Sequence, residues 1–235
     1  MDDLISGAKS VVLYIIPSAT IMFSARGLIK IPDELFRKIL HFILLGAYIP
    51  FLFAFENWWN SIIVAGIIIV LAYPALAFAS YIPSFSSFVN ERKKGEFKSS
   101  MVLALGVMIG SISIGWGILN DKYLVLACIY AWGVGDAFAA LIGKRFGKHK
   151  FNLKYVDPHK SIEGTLAMFI TSMLSVFFIL VLRGNLNIFE CLFVATISSF
   201  ASSIVELCTH DGFDTVSCPI VAMIIILPLV SVLGG

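Results

Sequence analysis

Residues 132–168 read WGVGDAFAALIGKRFGKHKFNLKYVDPHKSIEGTLAM, and this stretch decides how the chain is organised. It begins in an apolar run of small residues that contains one carboxylate, Asp136. It continues through a basic loop and ends where a second apolar run starts, after Ser161. An acid inside an apolar run, a group of cations and a new helix N-terminus are parts from which a phosphate and metal site can be built at a membrane surface.

The composition is that of a membrane protein. Of the 235 residues, 59% are hydrophobic and 14% are charged, and the mean hydropathy is +0.93. The apolar residues form runs of about 20, which match a hydrocarbon core of about 30 Å. The sequence therefore predicts an all-α, polytopic transmembrane helical bundle of about eight spans, in a single integral membrane domain over residues 1–235. The predicted spans are 9–29, 36–55, 60–82, 101–119, 122–143, 162–182, 187–208 and 215–233.

Lysines and arginines concentrate in alternate loops, and this pattern predicts the orientation. Most of them follow the first, third and fifth predicted spans, and positively charged loops tend to stay on the cytoplasmic side. We therefore expect both termini outside and the active site on the cytoplasmic side. Trp58 and Trp59 are expected in a short outer turn. The seventh loop, residues 206–215, is expected on the cytoplasmic side as well, but it contains three acids and no Lys or Arg.

Asp136 is the first candidate site residue. It lies some two helical turns inside the predicted cytoplasmic end of its span, where a charge costs about 3 kcal/mol and needs a partner or a wet cavity. Ala139 and Gly143 form a small-xxx-small pair beside it, so that a helix or a ligand can approach closely. A helix-packing face with an incidental paired acid is the alternative. Because acids inside membrane spans are often functional, we favour a site.

The stretch from Asp157 to Gly164 contains a helix start. Either Asp157, followed by Pro158, or Ser161 can serve as the N-cap. In both cases free backbone N–H groups and the positive helix end would face the cytoplasm, which favours phosphate binding. The pattern is not a Walker A loop. The cations of the preceding loop and of this helix start are Lys144, Arg145, Lys148, Lys150, Lys154 and Lys160.

Two further groups complete the candidate chemistry. Arg37 and His41 share a helix face at the start of the second span. Lipid headgroups are the ordinary partners of such cations, whereas His41 can donate to phosphate or act as a base. Glu206 and Asp214 flank the acidic loop, and together with Asp136 they offer oxygen ligands for Mg²⁺. Salt bridges between this loop and the basic loops are an equally good interpretation of the acids.

Together these segments resemble the CTP-dependent lipid-alcohol kinases, the family of dolichol kinase, phytol kinase and the CTP-dependent diacylglycerol kinase. The resemblance covers roughly residues 36–220, and its specific part is GDAxA followed by KSxEG. Family members often carry Asp-Asn before the late proline, whereas Asp214 is followed here by Thr215. The matching segments are Arg37-Lys38-x-x-His41, Glu91-Arg92-Lys93-Lys94-Gly95-Glu96-Phe97, Gly135-Asp136-Ala137-x-Ala139, Gly143-Lys144-Arg145-Phe146-Gly147, Lys160-Ser161-x-Glu163-Gly164 and Glu206…Asp214…Pro219.

The resemblance implies transfer of the CTP γ-phosphate to the hydroxyl of a lipid alcohol, a polyprenol, phytol or diacylglycerol, with Mg²⁺ as cofactor. Asp136, Lys160 and His41 are the candidate catalytic residues, and Asp136 with Glu206 or Asp214 would hold the metal. One carboxylate, or His41, would orient the alcohol. The preference for cytidine rests on the resemblance alone. The candidate nucleotide-binding residues are Arg37, Lys38, Arg92, Lys144, Arg145, Lys148, Lys160, Ser161, Glu163 and Gly164.

Two other functions compete with this interpretation. A CDP-diacylglycerol synthase also uses CTP at a membrane, but its PGHGG signature is absent from the sequence. A small transporter or scaffold would explain the spans without any chemistry, although no internal repeat is evident. The expected partners are the lipid alcohol, CTP and the bilayer. No nucleic acid is expected, and an oligomer is possible.

Overall fold

The structure, a computed structural model, describes residues 2–81, 96–152, 156–158, 160–209 and 213–234. In this part of the chain eight helices are long and apolar enough to cross a membrane. Exposed large apolar side chains occur on all eight, as a lipid-facing surface requires. The predicted all-α, eight-span fold is therefore confirmed, and the chain is an integral membrane protein.

The chain divides into two compact units, Met1–Asn120 and Asp121–Gly235. The first contains α1 (Asp2–Leu28), α2 (Asp33–Phe53), α3 (Trp58–Ala79) and α4 (Glu96–Ser111). The fourth helix continues as a π-helix over Ile112–Ile118. The second unit contains α5 (Lys122–Phe146), α6 (Ile162–Arg183), α7 (Ile188–Cys208) and α8 (Asp214–Val232).

The helix ends differ from the predicted spans where charged residues extend an apolar run. The first helix begins at Asp2 rather than near residue 9, because two acids in its first turn interact favourably with the positive helix end. The fifth helix runs three residues beyond the predicted end, and Lys144 and Arg145 lie in its last turn. Cations are favourable there because the C-terminal end of a helix carries a partial negative charge.

Polar side chains hold the helix connections of the first unit. Arg26 donates to Asp33 at 2.7 Å and to the Ile31 carbonyl at 3.0 Å, which fixes the turn between α1 and α2. The Asp3 carboxylate accepts from the backbone N–H of Glu56 at 2.8 Å and thereby holds the turn before α3. The predicted turn is present, but Trp58 and Trp59 begin α3 instead of lying in the turn, and their rings stack with centroids 3.8 Å apart.

The second unit is built around α5, the most buried of the eight span helices. It packs closely against α6, and α7 and α8 complete the bundle. Small residues permit this close packing, since a Cβ added at Gly135 would clash with Ser172 and Met168. The hydrophobic core of the unit includes Leu124, Ala127, Cys128, Ala131, Val176, Leu180, Cys191, Val194, Ala195, Ala222, Ile226 and Val230.

One buried ion pair joins the start of α5 to the end of α6. Arg183 Nε lies 2.6 Å from Asp121 Oδ2, and the two side chains are 7% and 17% exposed. The other carboxylate oxygen of Asp121 caps α5 by accepting from the Leu124 N–H. The pair marks the end of the bundle opposite Ser161.

We predict that Asp121→Asn destabilises the protein by about 3 kcal/mol, because it leaves a buried guanidinium without its counter-charge. Asparagine retains an oxygen acceptor for the cap. Asp33→Asn is the matched control. Its partner Arg26 is also an arginine, but Asp33 is 59% exposed, so the loss should stay below about 1 kcal/mol. Thermal unfolding in detergent measures both, and equal losses would contradict the prediction.

Candidate functional site

The start of α6 is fixed by Ser161. Its side chain accepts a hydrogen bond from the Gly164 N–H at 3.2 Å, and the residue is 3% exposed. Asp157 instead begins a separate turn, in which the Lys160 N–H donates to the Asp157 carbonyl at 3.0 Å. Of the two possible N-caps, Ser161 is therefore the one that the structure contains.

The ends of α5 and α6 approach so closely that only glycine fits at the contact. A Cβ added at Gly164 would lie 3.0 Å from the Ala139 carbonyl oxygen and 3.2 Å from Gly143 Cα. A Cβ at Gly147 would lie 2.5 Å from Oγ of Ser161, the residue that caps α6. The small residues of the GDAxA segment and of KSxEG thus pack helix against helix. This contact holds the basic loop and the first turn of α6 beside the last turns of α5.

The loop between α5 and α6 is closed at its neck by His149 and Glu163. The Ile162 N–H donates to the His149 carbonyl at 3.0 Å, and Lys150 forms an isolated antiparallel bridge with Ser161. His149 Nδ1 lies 2.7 Å from a carboxylate oxygen of Glu163. The His149 backbone N–H also donates to that carboxylate, at 3.3 Å. Sequence reasoning missed the role of His149.

These contacts change the expected chemistry of the helix start. The N–H groups of Ile162 and Gly164 already donate within the chain. The expectation that free N–H groups at this helix start bind phosphate is therefore wrong for these two positions. The Glu163 carboxylate contacts the loop through His149, which gives it a structural task. An anionic ligand would therefore have to be held by side chains rather than by these two N–H groups.

An ion pair between a half-buried lysine and a buried glutamate joins this loop to α7. Lys160 Nζ contacts Glu206 Oε1, and the side chains of the two residues are 24% and 3% exposed. The Asp157 N–H donates to the Leu207 carbonyl at 3.4 Å and anchors the same loop on α7. The structure thus brings together two predicted site residues that are 46 positions apart in the sequence.

The other two predicted metal ligands lie in the same region. Cys218, near the start of α8, is within electrostatic range of Asp214, Asp136 and Lys160. Asp136 and Asp214 are both half-buried. Within the described residues, however, no three His, Cys, Asp or Glu side chains are grouped as a metal site. The Mg²⁺ ligand set of Asp136, Glu206 and Asp214 therefore stays a prediction.

The remaining predicted binding residues fall into three groups. Lys144, Arg145 and Lys148 are exposed at and beyond the end of α5. In the first unit, Arg37 lies 3.5 Å from Glu34. Lys38 of the same unit is only 7% exposed, and His41 is half-buried. Arg92, Lys154 and His159 lie outside the described residues.

Sequence reasoning also missed a row of buried serines on α7. Ser198, Ser199, Ser202 and Ser203 are each at most 3% exposed, and Glu206 continues the row. The signal was present, because the segment SSFASSIVE places polar residues three and four positions apart within an apolar span. Such spacing puts them on one side of a helix.

Comparison with known proteins identifies the family. Residues 8–209 match the cytidylyltransferase family, and the chain belongs to it. The chain is also 28% identical over 196 residues to phytol kinase from Synechocystis sp., across 80% of this chain and 76% of that protein. These findings confirm the family resemblance that the motifs carry and support a lipid kinase-like role. No solved structure matches the chain.

The neck of the basic loop can be tested by proteolysis. We predict that Glu163→Ala speeds tryptic cleavage after Lys148 and Lys150 several-fold, because the variant removes the carboxylate that holds His149. Glu190→Ala is the matched control, since Glu190 closes a capping box at the start of α7. Its removal should leave cleavage in this loop unchanged. Equal cleavage rates in the two variants and the wild type would contradict the assigned role of Glu163.

Proposed function

We propose that the protein is a membrane kinase that transfers the γ-phosphate of CTP to the hydroxyl of a lipid alcohol, giving a lipid phosphate and CDP. The observation that carries the proposal is the ion pair of Lys160 with the buried Glu206, with Asp136 and Asp214 in the same region. Membership of a CTP-using family and the similarity to a phytol kinase support it. A cation and several carboxylates are what the transfer of a metal-bound phosphate requires.

The reaction makes one bond and breaks one. The alcohol oxygen attacks the γ-phosphorus, the bond from that phosphorus to the β,γ-bridging oxygen breaks, and CDP departs with the bond's electrons. The alcohol proton passes to a carboxylate, for which Asp136 is our first candidate, or to His41. Phosphoryl transfer depends mainly on positioning and charge neutralisation. The main contribution of the protein's cations would therefore be to position the phosphates and neutralise their charge.

The carboxylates fit a magnesium ion by their chemistry. Mg²⁺ is commonly held by one or two carboxylates together with substrate phosphates, so Asp136 with Glu206 or Asp214 suffices. When bound, Mg²⁺ would neutralise charge on the transferred phosphate. The Glu206 oxygen that Lys160 contacts would be freed for the metal if Lys160 released it. Lys160 would then turn to the nucleotide phosphates, so that one exchange of partners prepares both ligands.

The remaining roles follow from charge and position. Lys144, Arg145 and Lys148 would hold the nucleotide from the end of α5, and Arg37, Lys38 and Arg92 remain further candidates. We place this end of α5 in the cytoplasm, where CTP is available, with both termini outside. Ser161 and Gly164 shape the helix start, and Glu163 positions the basic loop through His149.

The alcohol is proposed to be isoprenoid. The similarity to a phytol kinase favours phytol or a related prenyl alcohol over diacylglycerol. A second function, a synthase that transfers the cytidylyl group to phosphatidic acid, is favoured by the description of the matching family. The two functions differ in products, since the synthase releases pyrophosphate and forms a CDP-lipid.

An assay with labelled nucleotide distinguishes the kinase from the synthase. Purified protein in detergent with Mg²⁺ is given CTP or ATP and farnesol, geranylgeraniol, phytol, a long polyprenol or diacylglycerol. Label from γ-labelled CTP should enter the organic phase as a lipid phosphate. Label from α-labelled CTP that enters lipid with phosphatidic acid would establish the synthase. A preference for ATP would refute the cytidine assignment, and no transfer from any donor would refute the kinase.

We predict that Asp136→Asn lowers turnover by roughly 100-fold or more, because it removes a charge needed in the transition state. Thermal unfolding should change little, since asparagine has nearly the same shape. Glu190→Gln serves as the control, because it neutralises a carboxylate at the opposite end of α7 and should retain activity. Wild-type turnover in Asp136→Asn would exclude this carboxylate from the chemistry.

A further inference from the structure

The four serines of α7 are of two kinds. Ser198 donates to the Val194 carbonyl at 2.8 Å, and Ser203 donates to the Phe200 carbonyl at 2.7 Å. Such bonds to the preceding turn are the usual way in which a serine is satisfied inside a membrane helix. The hydroxyls of Ser199 and Ser202 are buried too, yet they form no hydrogen bond within the described part of the chain.

The unbonded serines lie on a line that leads to the proposed site. Ser199, Ser202 and Glu206 follow one another at spacings of three and four residues and therefore share a helix face. Ser202 lies about 6 Å from Glu206 along the helix axis, and Ser199 lies about 10 Å from it. The Cys218 thiol, which is within range of Asp136 and Asp214, donates to the Ser202 carbonyl at 3.7 Å.

Packing alone does not explain these hydroxyls. Alanine would allow the same close approach of helices and would bury no polar atom. A buried hydroxyl without a partner is a net cost to the folded state, and such groups call for an explanation such as a ligand. Each hydroxyl can donate one hydrogen bond and accept up to two. The two serines therefore offer matched partners to a second hydroxyl group.

The proposed reaction supplies a ligand of this chemistry. A lipid alcohol carries a single hydroxyl at the end of an apolar chain, and it reaches the protein through the membrane. The outer face of α7 is apolar and exposed at Phe193, Phe200 and Ile204. The inner face leads from the depth of the membrane to Glu206 and Lys160, where the phosphate would be received.

We propose that Ser199 and Ser202 bind the hydroxyl of the lipid alcohol and direct it toward the Glu206–Lys160 end of α7. This inference rests on the proposed function, because it names the part of that site that takes the acceptor. The serines act in positioning the acceptor, so their loss weakens the use of alcohol and leaves the use of nucleotide intact.

The test compares serine-to-alanine substitutions at different positions of α7. Ser199→Ala, Ser202→Ala and the double variant are set against Ser198→Ala and Ser203→Ala, whose hydroxyls are already bonded to their own helix. With phytol as acceptor, kcat/KM should fall roughly tenfold or more in the double variant, the equivalent of one lost hydrogen bond. The KM for CTP should stay within twofold, and the controls should match the wild type.

Thermal unfolding keeps this test separate from that of the proposed function. Phytol, geranylgeraniol and dioleoylglycerol are each compared with phytane, which lacks a hydroxyl. A hydroxyl-dependent rise in Tm in the wild type, absent in the double variant, supports the inference even if no phosphate is transferred. No such rise with any of the three alcohols overturns it, as does an unchanged kcat/KM in the double variant. If the double variant does not fold, the two single variants decide in the same way.

Discussion

A carboxylate buried in a membrane span needs a counter-charge, and the contact between Glu206 and Lys160 provides it. Removing one partner of such a pair costs about 3–5 kcal/mol, because the other is left as an uncompensated buried charge. The pair forms only if the loop before α6 returns to the end of α7. Ser161, the neck at His149 and the contact of Asp157 with Leu207 hold the loop in that position. Much of the second unit is thus arranged to keep one lysine beside one glutamate.

The membrane imposes a second constraint on the same unit. Hydrophobic burial does not distinguish a helix partner from lipid, so close packing and polar contacts must hold the helices together. Gly143 and Gly164 provide close packing at one end of α5 and α6, and the Asp121–Arg183 pair provides a polar contact at the other. Between these ends the helices are fixed in register. The close packing of α5 therefore fixes the position of Asp136 within the second unit, as the proposed phosphate-transfer site would require.

The fold could largely be predicted from the sequence, whereas the contacts of the site could not. Apolar runs of membrane-spanning length identified all eight helices, because length and hydropathy are local properties. Charge placement predicted that the acidic seventh loop faces the basic loops, and the contact of Lys160 with Glu206 is one of the salt bridges that this placement allows. The pairing of Glu163 with His149 was missed, because it depends on how a loop closes. The spacing of apolar residues in the sequence does not indicate how a loop closes. The π-helix after α4 and the unbonded state of Ser199 and Ser202 were missed for the same reason: each depends on the details of hydrogen bonding.

The central claim is that Lys160 exchanges Glu206 for the phosphates of a nucleotide, and CTP binding tests it most directly. The double variant Lys160→Met/Glu206→Gln removes both charges, so no unpaired charge remains buried to unfold the protein. Lys122→Met, at the opposite end of α5, is the control. With Mg²⁺ present, CTP should raise the Tm of the wild type and of the control, whereas the double variant should require at least tenfold more CTP for the same shift. A double variant that binds CTP as tightly as the wild type would contradict the account.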